Sequence, residues 1–411
     1  MNYQVVILAG GESSRFAPFN KIHKSFFKIC GKRIIERTIE SVRKTSPVEI
    51  ILVLGRENFD REKEICSLNP LFKDVRFVRQ ESPLGQADAV LSAEKYITHD
   101  FFVINAQQFN FHLLVDKFIK KHLEDKNNVT VGSVETDEPQ KYGIFAIDGD
   151  KVTGIVEKPE PGQEPSNKRL VGVYLFSKDV LLELKNTERS KYSLETTLDK
   201  ISKNGKVGIV DLDMASPSLK YPWDILDIKD LIFNRLQFGI DETAKIEKTV
   251  IIKGNDIFVG KGAYIADYAI IESPAYIGEG AVVGAYCQVR NGSILENGAQ
   301  IQRYVDLKNS YIGENSHVHS GFVGDSVIDA DVRVGAGFIS ANKRLDRANI
   351  YSEVKGERTD TGRTRLGVMI GEGVKVGIRV SSMPGSIVGP HSNVYPNITI
   401  KGSFEGGSEV K

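Results

Sequence analysis

Reading every sixth residue from Val259 gives Ile265, Ile271, Ile277, Val283, Val289, Leu295, Ile301 and Leu307, so nine positions in register are aliphatic. The phase breaks and then resumes with Ile370, Val376, Ser382, Val388, Val394 and Ile400. Glycine follows many of these positions, as at Gly260, Gly278, Gly284, Gly371 and Gly389. An α-helix repeats every 3.6 residues and a strand every 2, so neither generates a strict six. A solenoid does. Each flat face takes one hexad, the aliphatic points inward, and small residues turn the corners.

Before about residue 245 the rhythm is different. Short apolar runs at 4–8, 49–54, 101–104 and 129–134 read as strands, and 34–43, 87–96 and 113–123 read as helices. Such alternation implies a doubly wound α/β domain, a parallel sheet with helices on both faces. Sheets of this kind bind ligands beyond the carboxyl ends of their strands. The expected organisation is therefore a domain over 1–235, a linker over 236–250, and a coil over 251–405 with a charged loop at 340–367.

Of the 411 residues, 54 are Lys or Arg and 54 are Asp or Glu. This balance gives no electrostatic case for nucleic acid or an anionic membrane as the main partner. Three cysteines, Cys30, Cys66 and Cys287, build no disulfide framework and show no metal-ligand spacing. The first apolar run is too short, and lacks the basic leader, for a signal peptide. No run approaches the roughly 18 apolar residues of a membrane span. A cytoplasmic protein is expected.

Directly after the first strand stand Leu8, Ala9, Gly10 and Gly11. Glycines let a backbone approach a phosphate, and successive N–H groups cradle its oxygens. Arg15 and Lys24 follow at a spacing that brings two cations onto one polyphosphate, where they neutralise charge on the transferred and leaving groups. The Walker pattern and the dinucleotide fingerprint are both absent.

The series continues with Gln80, then Pro83 to Ala89, then Tyr142 and Gly143, then Glu157, Lys158 and Pro159. In order and spacing it is similar to the sugar-1-phosphate nucleotidylyltransferases. That resemblance implies a Rossmann-like nucleotide-sugar transferase fold and a reaction of a nucleoside triphosphate with a sugar 1-phosphate, giving a nucleotide-sugar and pyrophosphate. It places Leu8, Ala9, Gly10 and Gly11 along the nucleotide, Arg15 and Lys24 on phosphates, and Gln80 and Gly85 at the base. Gly143, Glu157 and Lys158 are implied to meet the sugar phosphate.

The sequence departs from that family at one pocket. The resemblance implies an aspartate holding catalytic Mg²⁺ where this chain has Gln107, and a second ligand where it has Ser218. An asparagine expected near the sugar is replaced within Leu170, Val171 and Gly172. Mg²⁺ prefers anionic oxygen, so an amide and a hydroxyl make a weakened site. The metal ligands are left unassigned.

The hexads resemble the left-handed parallel β-helix of hexapeptide-repeat acyltransferases, which implies a homotrimer. With the first half included, nearly the whole chain is similar to the bifunctional N-acetylglucosamine-1-phosphate uridylyltransferases and their archaeal relatives. The resemblance implies that His319 is the base of acetyl transfer from acetyl-coenzyme A to an amino-sugar phosphate. Arg290 and Lys308 then hold the phosphate, and Asn342 lies near the acetyl group. Val318 reads as an inward aliphatic, so His317 and His319 are expected to point outward. Phe322 stands where the family has a tyrosine. Cations in the 340–367 loop suit coenzyme A phosphates, or are simply solvated. Three readings stay open: a bifunctional enzyme, an acyltransferase whose first domain only binds, and a non-catalytic assembly or regulatory protein.

Overall fold

The computed structural model describes residues 1–148, 151–213 and 218–411. The chain forms two compact units. One comprises Met1–Glu12 and Arg33–Pro217, and the other Ser13–Lys32 and Ser218–Lys411. The units therefore do not coincide with a division near residue 235, because the 13–32 and 218–235 segments group with the coil.

The first unit is built on strands β1 (Tyr3–Ala9), β2 (Glu49–Gly55), β3 (Val75–Gln80), β4 (Asp100–Asn105), β5 (Val129–Glu135), β6 (Gly143–Asp148), β7 (Lys151–Glu157), β8 (Lys168–Phe176) and β9 (Val207–Asp211). The main path runs β9-β5-β8-β4-β1-β2-β3, with β6 paired to β8 and β7 to β6. Strands β1, β2 and β4 are almost wholly buried. That is why they read as unbroken apolar runs rather than alternations. Helices α1 (Ile34–Arg43), α2 (Phe59–Ser67), α3 (Gln86–Ser92), α4 (Val115–Glu124), α5 (Val180–Asn186) and α6 (Ser193–Ser202) complete the unit. The sheet is not purely parallel. Strand β8 runs antiparallel to both β4 and β5. It is reached through the β6–β7 hairpin rather than a crossover helix, and a hairpin needs no long connection.

Strand β1 lies between β2 and β4, parallel to both. The chain winds outward from β1 through β2 to β3, then returns to β4 on the other side. This is the switch point, the place beyond the strand ends where such sheets take their ligands.

The second unit is a parallel β-helix with three faces. Two faces carry nine strands and the third eight. Every inward position of the first hexad series is fully buried, from Val259 to Leu307, and the second series from Ile370 to Ile400 is buried too. After Leu307 the inward residues are Ile312, Val318, Val323, Ile328 and Val334, so three of the steps shorten to five residues. The phase is lost in sequence while the stack continues. Ile328 pairs directly with Ile370 across the charged insertion. That insertion is ordered as an antiparallel hairpin of Ile350–Val354 and Glu357–Arg363. Its Ser352 hydroxyl donates to the Gly385 carbonyl at 2.8 Å, which ties it to the coil. Helix α7 (Ile225–Phe233) belongs to this unit. Among the described residues no helix is long and apolar enough to cross a membrane.

Ser382 occupies an inward hexad position, and its Oγ is buried with no hydrogen-bond partner. An orphaned buried hydroxyl costs about 1–3 kcal/mol. Ser382→Ala is therefore expected to raise the coil's stability by about 1 kcal/mol. Chemical denaturation followed by circular dichroism checks this, and a lower unfolding midpoint contradicts it.

Candidate functional site

At the carboxyl end of β1 the backbone turns through Gly10 and Gly11, and Gly11 is exposed. A β-carbon on Gly10 would lie 2.3 Å from Gln80 Oε1, so any larger residue there would have to displace the Gln80 amide. Gln80 is buried at the end of β3. Its Nε2 donates to Asp88 Oδ2 at 2.9 Å and to the Gly85 carbonyl at 3.3 Å. Gly85 leads into α3, which carries Asp88. Leu8, Ala9, Gly10, Gln80 and Gly85 are thus brought together at the switch point, with Asp88 of the same motif anchoring Gln80.

Gly143 and Glu157 face each other across the β6–β7 hairpin. Glu157 Oε2 would lie 2.9 Å from a β-carbon at 143, which makes Gly143 the floor beneath that carboxylate. Glu157 and Lys158 are both exposed. Lys158 Nζ lies 5.9 Å from the Tyr192 ring centre. Nearby stands a pair that sequence reasoning missed. The Tyr174 hydroxyl donates to Gln86 Oε1 at 3.3 Å, and Glu195 has an orphaned buried Oε2. Burial, and then Glu157, raise the carboxyl pKa of Glu195.

The implied Mg²⁺ site is a poor fit. Strand β4 ends in Asn105, and the next polar side chain in the expected position is the half-buried amide of Gln107. Among the described residues no group of three or more His, Cys, Asp or Glu side chains is placed to hold a metal. Ser218 donates its hydroxyl to Asp224 Oδ2 at 3.2 Å. The same oxygen accepts the Lys220 and Tyr221 N–H groups at 2.6 and 2.9 Å. Asp224 is thus engaged in a local cap.

The two cations expected to meet phosphates, Arg15 and Lys24, lie in the coil's unit. Arg15 is exposed and Lys24 half-buried. The Lys24 N–H donates to Ser13 Oγ at 3.1 Å. Burial, and then the neighbouring Arg15 charge, bring Lys24 down to about 8. The two cations are close enough to repel.

On the coil, Val318 is buried while His317 and His319 face outward, and His319 is exposed. His319 lines a groove of about 720 Å³ with Tyr264, Gln302, Arg303, Tyr304 and Ser320. His317 Nε2 is buried without a partner, and burial holds its pKa below the usual value. Arg290, Lys308 and Asn342 do not line this groove. Arg290 pairs with Asp306 at 2.5 Å, and Asn342 Nδ2 donates to Asp325 Oδ2 at 2.5 Å. Asn342 therefore serves as a strut. Lys308 instead shares a cationic neighbourhood with the insertion: Lys343 is lowered first by Arg365, with Arg347 and Lys308 adding to the effect.

The family model described as nucleotidyl transferase matches residues 4–219, more than half of the chain. The chain belongs to this family. It is 34% identical over 413 residues to a protein named "Bifunctional protein GlmU" from Methanococcus maripaludis strain C7, covering 98% of this chain and 96% of that one. It is 31% identical to a "Bifunctional sugar-1-phosphate nucleotidylyltransferase/acetyltransferase" of Sulfurisphaera tokodaii, covering 96% of each. An apo UDP-glucose pyrophosphorylase structure superposes with a TM-score of 0.51 at 19% identity, covering 57% of this chain and 99% of that one. That last likeness concerns the fold alone.

Within this nucleotidyl transferase family member, some site neighbours had no sequence signal. Glu195 lies in an ordinary amphipathic helix and Tyr174 in the buried end of a strand, and only their tertiary placement sets them beside Glu157. Tyr304 did carry a signal. It stacks on Tyr286, and Tyr286 on Tyr268, at 5.4 and 5.0 Å, in a ladder repeating every 18 residues.

Lys24 gives a pH prediction. Its free-protein pKa of about 8 lies below the unfolded value, so the ammonium is present below pH 8 and is lost as pH rises through it. Nucleoside triphosphate affinity is expected to weaken above about pH 8. Lys24→Arg should move that loss well upward, since arginine stays charged. Calorimetric titration between pH 6.5 and 9.5 checks this, and a flat parent profile contradicts it.

Proposed function

We propose that this protein joins a nucleoside triphosphate to a sugar 1-phosphate. A phosphate oxygen of the sugar attacks the α-phosphorus, the α–β bridging bond breaks, and pyrophosphate leaves. The observation that carries this reading is the convergence of Gly10, Gln80, Gly85 and Asp88 at the switch point. Glycine backbone meets the phosphates there, while Gln80 and Gly85 face the base. Gly143, Glu157 and Lys158 take the sugar phosphate. Arg15 and Lys24 neutralise charge on the leaving group. A divalent ion, when bound with the nucleotide, supplies further charge neutralisation. The neutral amides of Asn105 and Gln107 do not supply the anionic ligand Mg²⁺ prefers, and no step is assigned to a protein-held ion.

The coil is read as an acetyltransferase. His319 accepts a proton as the amine of an amino-sugar 1-phosphate attacks the thioester carbonyl of acetyl-coenzyme A. The carbon–sulfur bond then breaks, and the coenzyme A sulfur leaves with the pair. An imidazole suits this role near neutral pH. Lys308, Lys343, Arg347 and Arg365 supply a positive field for phosphates. Because Arg290, Lys308 and Asn342 lie outside the His319 groove of one chain, the reading includes a homotrimer in which a second copy completes the site. Closed cyclic symmetry leaves no open face. A cytoplasmic location fits this chemistry.

Pyrophosphate release with a panel of nucleoside triphosphates and sugar 1-phosphates tests the first activity. Gln107→Asp restores an anionic ligand and is expected to raise the Mg²⁺-dependent rate at least tenfold. A parent already turning over at the usual enzyme rates of about 1–1,000 per second, and slowed by the change, refutes the reading of Gln107. Pyrophosphate release from neither protein favours a binding-only domain.

His319→Ala is expected to lower coenzyme A release by about 100- to 10,000-fold, the usual value of a general base. His317→Ala should do much less, and light scattering should report an unchanged trimer. Full activity in both variants assigns the base elsewhere.

A further inference from the structure

The 13–32 segment carries Arg15 and Lys24 yet is compact with the coil. The reason is a row of acidic side chains, one for each of four stacked turns. Inward residues Leu295, Ile312, Ile328 and Ile370 pair in succession along the first face. One or two residues after them come Glu296, Glu314, Asp329 and Glu372.

Glu296 is fully buried. Its two carboxylate oxygens accept the N–H groups of Cys30 and Gly31 at 2.6 and 2.9 Å. Cys30 and Gly31 both have left-handed backbone, with φ of 52° and 74°, so successive N–H groups converge on one anion. A β-carbon at 31 would lie 2.7 Å from Tyr276 Oη, which makes glycine necessary there. One turn further along, Lys28 Nζ donates to both oxygens of Glu314 at 2.7 Å, and Phe27 packs on Tyr311 with ring centres 5.1 Å apart. Two turns beyond that, Lys21 Nζ reaches Glu372 at 2.7 Å. Lys24 therefore lies between anchors at 21 and 28, on a stretch too short to reorient freely.

We propose that this acidic row, with Glu296 at its head, positions Arg15 and Lys24 for nucleotide phosphates, so that a coil side chain is a positioning residue for nucleotidyl transfer. The inference rests on the phosphate role given to those two cations above. The pair at Lys21 is exposed and that at Lys28 part-buried, and solvent-accessible pairs of this kind are individually weak. Glu296 is different, because its removal takes the carboxylate away from one buried and one half-buried N–H group.

The test uses the full-length protein, hydrogen exchange, and calorimetric binding of ATP, GTP, CTP, UTP and dTTP with Mg²⁺. In Glu296→Ala, amides in 13–32 are expected to exchange at least tenfold faster while coil strands far from the row keep their rates. Affinity for the best-bound triphosphate should fall about tenfold or more, with coenzyme A release within twofold of the parent. Glu296→Gln keeps the shape and one acceptor oxygen, and should restore part of both readouts. If Glu296→Ala misfolds, Lys28→Ala should give the same two effects more weakly. Faster exchange with unchanged affinity overturns the proposal, and so does unchanged exchange. Arg15→Ala and Lys24→Ala separate the two ideas. If both bind nucleotide like the parent, the phosphate role fails, and exchange in Glu296→Ala still reports whether the row holds the segment.

Discussion

Stacking of inward aliphatics against their own repeats is the interaction on which the second unit depends. Each turn contributes three such residues, and each meets the equivalent residue of the next turn across a parallel ladder of hydrogen bonds. Removing apolar area from water is worth roughly 25 cal/mol per Å². No single turn buries enough area to be stable alone, so the faces persist only as a continuous column. That column fixes what lies outside it. Side chains next to inward positions are presented at regular intervals, which is how the acidic row, the tyrosine ladder and the outward His319 each acquire their spacing.

The same logic explains why so much of the coil could be read directly. Period six is a local property, and an aliphatic at Val283 means the same thing wherever the rest of the chain goes. The reading failed where steps shortened to five, between Leu307 and Ile328, because corners absorb the missing residue without moving the core. The insertion after Ser340 looked like a charged loop. Its hairpin pairing arises from contacts among its own residues and with Gly385, which composition does not record.

In the first unit, strands β1, β2 and β4 and helix α1 were legible from apolar runs. The direction of β8 was not, since an antiparallel strand has the same composition as a parallel one. The glycine loop and Gln80 were found through their order in the chain, and the close approach at Gly10 supplies the physical reason for that order. Asn342 shows the opposite case. Its expected place near an acetyl group rested on resemblance, whereas its amide nitrogen is engaged by Asp325. The docking of residues 13–32 had no local signature at all. Glu296, Glu314 and Glu372 look like surface acids, and only the fold reveals which amides and ammonium groups they meet.

That docking also sets an order in time. A chain leaves the ribosome from its N-terminus, and Cys30 and Gly31 emerge 266 and 265 residues before the carboxylate that receives them. Lys21 precedes Glu372 by 351. At about 5–20 residues per second, the gap amounts to roughly 13 to 70 seconds of synthesis. During that interval the central sheet can form around β1, but the stretch that follows it must wait, with Phe27 not yet covered by Tyr311 of the coil. A translating polysome therefore carries an aromatic side chain whose coil partner is made 284 residues later, and chaperones that hold nascent chains have a defined segment to meet.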